Sequence, residues 1–533
     1  MSHSVSRIRA RRIRNRDKEA ERSAAERQPL LKRPVFGLLS LAALWGASLA
    51  VVNLEQLAGG AATPVPPLAM AANGVYLLAG LLASALLVRV LHPQTASDNR
   101  TILLFCLVTL LAIVTAKAVD YGARNALFVR PETVRFLMPL ALAPLMGTIL
   151  LGAPRGAVLG IYPAIAMAVM LDRGLPVLLG GLMVSAVAAH VANGVRVRSK
   201  VVRAGLIVGL VHVLLVLPHT CLSGRGSEVM LVLDQAGACL LSGFLSALIV
   251  LLVVPLFESL FDVTTNLSLL DLSDLSHPLL QRLAMEAPGT YHHSLVVANL
   301  AQGAAEDIGA NSLLARVCAY FHDVGKLTKP DFFSENIQRR TNPHDDLPPS
   351  MSTLVITSHV KEGVTLAMMH KLPSPVKAVI REHHGTSLVS CFHHKAKQNE
   401  EAASGGRRID EGAFRYPGPR PSFKESAIIA LADGAEAASR SLEKPTPNHI
   451  EQVVTGIFNK RIVDGQLDDS GLTLNELDRI KRSFVFTLTN MLHGRVPYPQ
   501  DEDDSQQQAK AVAGGPPDAR TAERRGDATG GEG

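Results

Sequence analysis

The sequence predicts an all-α protein in two parts: a polytopic transmembrane helical bundle, then a cytoplasmic all-helical domain. Three observations carry this. Apolar residues make up 47% of the 533-residue chain and are concentrated between Pro34 and Phe257. The stretch that follows has helical spacing and little of the alternation that marks strands. In that second half lie His293, His322-Asp323, His359, His383-His384 and Asp433, all in segments that read as helix. The length is more than a single core normally uses.

Residues 1–33 read as a basic cytoplasmic tail. Arg7, Arg9, Arg11, Arg12, Arg14, Arg16 and Lys18 crowd there, and the net charge is +6. A basic run can bind nucleic acid. Placed directly before an apolar span, it reads instead as a cytoplasmic anchor that follows the positive-inside bias. It is too long for a cleaved signal peptide and no small-residue cleavage site follows it.

A span needs about 20 mostly apolar residues. The region 34–256 holds about eight, near 34–53, 73–91, 101–120, 134–153, 155–172, 175–194, 203–220 and 232–256. Only Ala153-Pro154-Arg155 separates the fourth from the fifth. An even number puts both ends of the region on one side, and the basic tail makes that side cytoplasmic. Arg196, Arg198 and Lys200 then fall inside, as the charge bias predicts. Lys117, Arg124 and Arg130 fall outside, against it. The segment 54–72 reads as a short Gly/Pro/Ala loop. His190 and His212 are the main ionisable groups within spans, open to either a packing or a ligand role. The five cysteines form no CxxC pair, so neither a disulfide framework nor a thiolate metal site is indicated.

Residues 257–283 read as an amphipathic connector. Leu269, Leu270, Leu272, Leu275, Leu279, Leu280 and Leu283 form a broad helical stripe, interrupted before Pro278. The stripe suits packing on the next domain, or a lever between membrane and catalytic domain. The helical domain occupies 284–498, with a polar inserted loop over 395–415. Residues 499–533 hold almost no large apolar side chain and are expected to be disordered.

His322-Asp323 follows an apolar helix, SLLARVCAYF, that delivers the pair into a core. Buried His and Asp without partners are costly, and metal coordination removes that cost. Imidazole and carboxylate together suit Mn, Fe or Zn. Asp323 is the natural bridging ligand, because each of its oxygens can reach one ion. Lys326 lies three residues on, on the same helical face, and its ammonium could hold a phosphate oxygen. His383 and His384 can reach one centre only if their helix ends there, and Gly385 supplies the stop. Asp433 interrupts an otherwise apolar helical face, where a metal ligand accounts for it best. His277, His370, His393 and His394 read as surface or capping residues. His292 and His344 read as structural, or as supports for the ligands.

The segments GTYHHS, HDVGK, NPHDD, SHVKEG, EHHGT, FRYPGPRP, LADGAEA and DGQLD resemble the HD superfamily of metal-dependent phosphohydrolases. Within it they are similar to the seven-transmembrane-receptor HD family of membrane cyclic-di-AMP phosphodiesterases. The resemblance runs over residues 260–498, and the membrane region agrees in layout. It implies two metal ions, Mn or Fe. His293, His322, Asp323 and Asp433 would hold one, and Asp323, His359, His383 and His384 the other. Asp323 and Lys326 would be catalytic, and Lys326, Arg415 and Tyr416 would contact substrate. Arg415 and Tyr416 also have a structural reading, as part of a turn fixed by Pro417 and Pro419.

The resemblance further implies hydrolysis of cyclic di-AMP to 5′-pApA by a multi-pass protein of the bacterial inner membrane. The implied partners are the dinucleotide and the lipid bilayer, with no polymeric nucleic acid and a homodimer left open. Such proteins commonly carry a large extracytoplasmic domain after the first span, where this chain has only 54–72. Relatives that cleave cyclic di-GMP carry GYP after the paired histidines, where this chain has GTSLVSCF. Cyclic di-GMP, ppGpp or another nucleotide, and a receptor that binds nucleotide without cutting it, are the alternatives.

Overall fold

A computed structural model describes residues 34–57, 66–93, 95, 98–125, 129–171, 174–337, 342–402, 409–442 and 445–493. The basic tail 1–33, the middle of the 54–72 loop and the expected disordered tail 499–533 lie outside the described residues. Among the described residues there is no strand, only one isolated bridge between Leu388 and Arg415.

Eight apolar helical stretches form the membrane part. They are α1 (Pro34–Val52), α2 (Pro67–Leu91), α3 (Asn99–Asn125), α4 (Leu142–Leu151), α5 (Ala153–Met170), α6 (Leu175–Val191), α7 (Arg198–Leu222) and α8 (Val229–Phe261). Six are long and apolar enough to cross a membrane; α4 and α6 are shorter. The 10 residues of α4 rise only about 15 Å, half of a hydrocarbon core of about 30 Å. Most of α4 is buried inside the bundle. The expected fourth span therefore resolves into a 3₁₀ turn (Pro131–Phe136) and a short interior helix. The break before α5 falls where the sequence suggests, at Gly152 (φ 92°) with Pro154 in the first turn.

Helices α7 and α8 cross with almost no side chain between them. A Cβ on Gly243 would collide with the Gly205 carbonyl and the Gly209 backbone. Gly205 and Gly209 are one turn apart, the small-xxx-small spacing that lets membrane helices approach closely.

The charges that run against the inside bias are paired. Lys117 lies within α3, 2.6 Å from Glu55 and 3.5 Å from Asp120. Arg124 meets Asp120 at 2.7 Å, and Arg130 meets Asp234 at 3.3 Å. His212 is buried against Phe136, in keeping with the packing role, while His190 is exposed at the end of α6.

The connector is two short helices rather than one stripe. Asp262 ends α8 in the left-handed region (φ 53°). Thr265 and Ser268 form a capping box for α9 (Asn266–Leu272), and His277 caps α10 (Pro278–Glu286). Leu267 packs in the membrane-side core, whereas Leu269, Leu279, Leu280 and Leu283 pack in the core of the helical domain. Leu270 and Leu275 are exposed.

The helical domain contains α11 (Pro288–Ile308), α12 (Ser312–Phe321), α13 (Pro349–Met369), α14 (Ser374–Glu382), α15 (Ser390–Ala402), α16 (Lys424–Arg440), α17 (Pro447–Val463) and α18 (Leu474–His493). Helix α11 packs on α12, α16 and α18, and these contacts build its core around Val297, Phe321, Ile429 and Phe484. The expected polar loop 395–415 is in part helical. Lys395–Ala402 continue α15, because KAKQNEEA consists largely of good helix formers.

Candidate metal centre

Five helices and one turn deliver the predicted ligands to a single point. His293 comes from α11, His359 from α13, Asp433 from α16, and His383 and His384 from the end of α14. His322 caps α12, and Asp323 opens the 3₁₀ turn Val324–Thr328. Gly325 makes that turn fit. A Cβ there would overlap the His359 carbonyl, so only glycine lets Asp323 and His359 come this close. Gly385 (φ 56°) breaks α14 as expected, and its amide bonds the Glu382 carbonyl at 2.7 Å. Glu382 is buried and accepts from Ser422 and Ser426, while Gln466 ties the following turn through Thr386.

The two oxygens of Asp323 face different partners. Oδ2 lies 3.2 Å from His322 Nε2 and 3.6 Å from His293 Nε2. Oδ1 lies 3.4 Å from His359 Nε2 and 3.6 Å from His383 Nε2. Asp433 lies 3.1 Å from His293 Nε2 and 3.6 Å from His384 Nδ1. The seven side chains therefore fall into two sets, His293–His322–Asp323–Asp433 and Asp323–His359–His383–His384, with ligand atoms in each set within 4.8 Å of one another. All are buried except His384, which is half-buried.

The other ring nitrogens are already committed. Nδ1 of His322 points to the Ala319 carbonyl at 2.8 Å, and Nδ1 of His359 to the Ile356 carbonyl at 2.6 Å. Nδ1 of His383 points to the Ile380 carbonyl at 3.0 Å, and Nδ1 of His293 to Glu436 at 2.5 Å. In each neutral ring Nδ1 donates, which leaves the Nε2 lone pair aimed at the centre. Nε2 of His359 and Nε2 of His383 then confront each other at 3.4 Å beside a carboxylate oxygen. Asp323 Oδ1 and His322 Nε2 are buried without a hydrogen-bond partner among the described residues, Asp323 Oδ2 has its ion pair with Lys326, and His293 Nε2 faces Asp433. So many converging acceptors require a cation, and this donor set fits divalent metal.

The electrostatics agree. Burial opposes the charge on Asp323, but His322 and Lys326 outweigh it and hold the carboxyl well below its usual range. Asp433 is likewise held low against burial, first of all by the His293 hydrogen bond. Burial drives His359 down to about 4, and burial with His383 drives His384 well below its usual value, so both are neutral and ready to coordinate. His293 differs. Burial lowers it, but the bonds to Asp433 and Glu436 prevail and raise it to about 10.

Among the expected substrate contacts, Tyr416 reaches the centre and Arg415 does not. The Tyr416 ring lies on the His384 imidazole, centroids 4.2 Å apart. The Arg415 guanidinium is taken up by both oxygens of Asp464 (2.9 and 3.1 Å), by Glu411 (2.6 Å) and by the Thr386 carbonyl (2.8 Å). A fork so fully engaged braces the loop and leaves no donor for a phosphate. Lys326 is also engaged, 2.8 Å from Asp323 and 2.7 Å from Glu335.

Three groups escaped the sequence reading. Glu436 orients His293 and Glu335 receives Lys326. Arg461 reaches the His384 carbonyl and the Ser387 hydroxyl, within electrostatic reach of Asp433 and Tyr416. Glu436 had a signal, since it lies one turn beyond Asp433 on the same helix face. Glu335 and Arg461 had none, because only the tertiary fold brings them near.

Residues 67–265 match the family described as 7TM receptor with intracellular HD hydrolase, and residues 290–438 match the HD domain. The chain is 36% identical over 445 residues to the cyclic-di-AMP phosphodiesterase PgpH of Bacillus subtilis (strain 168), covering 80% of this chain and 60% of that protein. It is 35% identical over 374 residues to the cyclic-di-AMP phosphodiesterase PgpH of Listeria monocytogenes serotype 1/2a (strain 10403S), covering 69% of this chain and 51% of that one. This chain thus spans about half to three-fifths of the length of these curated relatives. A crystal structure of the L. monocytogenes PgpH HD domain in complex with cyclic-di-AMP is 41% identical. It covers 41% of this chain and 99% of that one, with a TM-score of 0.39. An apolar multi-pass region joined to a histidine–aspartate centre, each matching its own part of one architecture, leads to one assignment: the chain belongs to the family of 7TM receptors with an intracellular HD hydrolase.

Proposed function

We propose that this multi-pass membrane protein is a metal-dependent phosphodiesterase that hydrolyses cyclic di-AMP to linear 5′-pApA, lowering the level of a second messenger. The observation that carries this reading is the sharing of Asp323 between two buried ligand sets, with four of the five imidazoles fixed through their other nitrogen. The names of the two relatives support the substrate.

Two divalent ions, Mn or Fe, held by the two sets would supply an activated water and neutralise charge on the phosphodiester. The chain's own residues supply the geometry. Glu436 keeps the His293 lone pair on the centre, and backbone carbonyls do the same for His322, His359 and His383. Lys326, pushed above its ordinary range by Asp323 and Glu335 against burial, stays charged and holds the Asp323 carboxylate in place. This positioning role replaces the phosphate contact expected from sequence. Tyr416 braces His384 and walls the site. Arg461 is the cation beside the centre best placed to meet a phosphate. In the overall reaction one water oxygen joins phosphorus, the P–O3′ bond breaks and the 3′ oxygen takes the proton.

The cytoplasmic placement of the domain rests on the basic loop before α7. Arg196 contacts Ser312 at 3.4 Å and Arg198 pairs with Asp271 at 2.9 Å, so the domain sits on the side where that loop lies. The positive-inside bias makes that side the cytoplasm, and spans that are helices rather than barrel strands suit the bacterial inner membrane.

The test is a substrate panel on the full-length protein in detergent with Mn. The expected result is conversion of cyclic di-AMP to pApA, faster than cleavage of cyclic di-GMP or ppGpp. Cleavage of cyclic di-GMP alone overturns the substrate and keeps the enzyme class. No cleavage with metal bound overturns both.

A further inference from the structure

Helices α1, α2, α3 and α5 line a half-open cavity of about 660 Å3 in the membrane part, on elements separate from those that build the metal centre. That volume falls within the roughly 300–1,000 Å3 of sites that hold small molecules. Its walls are mostly apolar, with Leu41, Leu81, Phe105 and Leu159 among them. Its polar groups are few. Arg89, in the last turn of α2, stands at one end. It is exposed and has no carboxylate partner among the described residues. Ser84 also lines the cavity, its hydroxyl buried with no hydrogen-bond partner among the described residues, and Tyr162 adds a second hydroxyl, which faces Ser48. Tyr162 is only 3% exposed.

A cation at the rim, hydroxyls within and apolar walls are complementary to an amphiphile with an anionic head. The spacing suits a glycerolipid. Ser84 precedes Arg89 on α2 by about 7 Å of helix, and Leu81 lies about 12 Å below Arg89. A phosphate held at Arg89 would place the ester carbonyls near Ser84 and an acyl chain against Leu81 and Phe105. A buried hydroxyl without a partner is costly in hydrocarbon, and a lipid carbonyl would satisfy one. The end marked by Arg89 also holds the start of α1, the side assigned above to the cytoplasm. Anionic lipids of that leaflet attract basic residues.

We propose that this cavity is a binding site for one anionic phospholipid of the cytoplasmic leaflet, with Arg89 on its phosphate and its acyl chain between α1, α2 and α3. The leaflet depends on the cytoplasmic placement above, whereas the site is independent of the phosphodiesterase reading.

The full-length protein, stripped of lipid in detergent, is titrated with phosphatidylglycerol and with phosphatidylcholine of the same acyl chains. Native mass spectrometry counts the lipid retained. The expected result is saturable retention of one phosphatidylglycerol, about tenfold tighter than phosphatidylcholine. Arg89→Gln should erase that preference, and Ala85→Trp, which fills the cavity, should abolish retention of both. Arg89→Gln alters an exposed side chain and so decides the matter even if Ala85→Trp fails to fold. Equal retention of the two lipids by the unaltered protein overturns the proposal, as does an undiminished preference in Arg89→Gln.

Discussion

His293 Nδ1 lies 2.5 Å from a carboxylate oxygen of Glu436, a residue 143 positions further along the chain. Helices α11 and α16 pack directly, so the contact is built into the core rather than added at its surface. Glu436 fixes the ring while its own oxygens stay out of both ligand sets.

Glu436→Ala should therefore weaken metal binding by about 10–100-fold without removing a ligand. Mn titration of phosphodiesterase activity should show the midpoint moving to higher metal and the rate recovering at saturation. An unmoved midpoint would mean that the ring is oriented by packing alone.

Asp323→Ala should be more severe, because both ligand sets lose the same residue. Activity should fall to background at any Mn concentration. Insertion into the membrane should persist, since the substituted side chain lies outside the bilayer part. Elemental analysis of the purified variant should find less than one metal per chain. Retention of two would show that Asp323 does not bridge.

Five of the seven candidate ligands were legible as anomalies in their own segments, whereas His293 and His359 came from the family resemblance. Asp433 sits on an apolar helical face, His322-Asp323 ends an apolar helix, and His383-His384 stands before a glycine that can break the helix. The α-helical class was legible from periodicity alone. For Arg415 the sequence left a structural role and a substrate contact both open, and the fold favours the first, because Asp464 and Glu411 fill its fork. The ion pairs of Lys326 with Asp323 and Glu335 were not legible, because Glu335 comes near only in the fold. The fourth span was over-long because hydropathy cannot tell a helix that crosses the bilayer from a short one buried among others. The break before Pro278 was legible in the leucine stripe of 257–283, whereas the end of the membrane helix at Asp262 and the cap at Thr265 were not.

Metal binding should release protons. His293, raised to about 10, is protonated in the metal-free protein at neutral pH and must lose that proton to coordinate. Metal affinity should thus rise with pH by up to about tenfold per unit below that value. The sign for folding is the opposite. The raised value stabilises the metal-free fold fully below the unfolded value of 6.5, and this contribution is lost as pH climbs towards about 10. Calorimetric metal titration in buffers of different ionisation enthalpy should give about one proton released per chain near pH 7.5. Zero release would mean that His293 is already neutral in the metal-free protein, with its one ring proton kept on the side of Glu436.

The two arginines near the centre should separate cleanly. Arg415 is spent on Asp464, Glu411 and Thr386, all within the protein. Arg415→Ala should cost about 1 kcal/mol of stability, typical of a well-formed but partly exposed ion pair, and leave KM for cyclic di-AMP nearly unchanged. Among the described residues Arg461 bonds the His384 carbonyl and Ser387 alone, and burial pulls its pKa down while Asp433, Tyr416 and Asp464 oppose that pull. A guanidinium held under that strain gains by meeting a phosphate. Arg461→Ala should raise KM by about tenfold or more, since charge-assisted bonds to phosphate are among the stronger ones. Arg461→Lys should recover only part of the loss, because an ammonium cannot reproduce the planar fork. If Arg415→Ala raised KM and Arg461→Ala only lowered thermal stability, the two roles would have to be exchanged. Steady-state kinetics and thermal unfolding on the same two preparations decide between them.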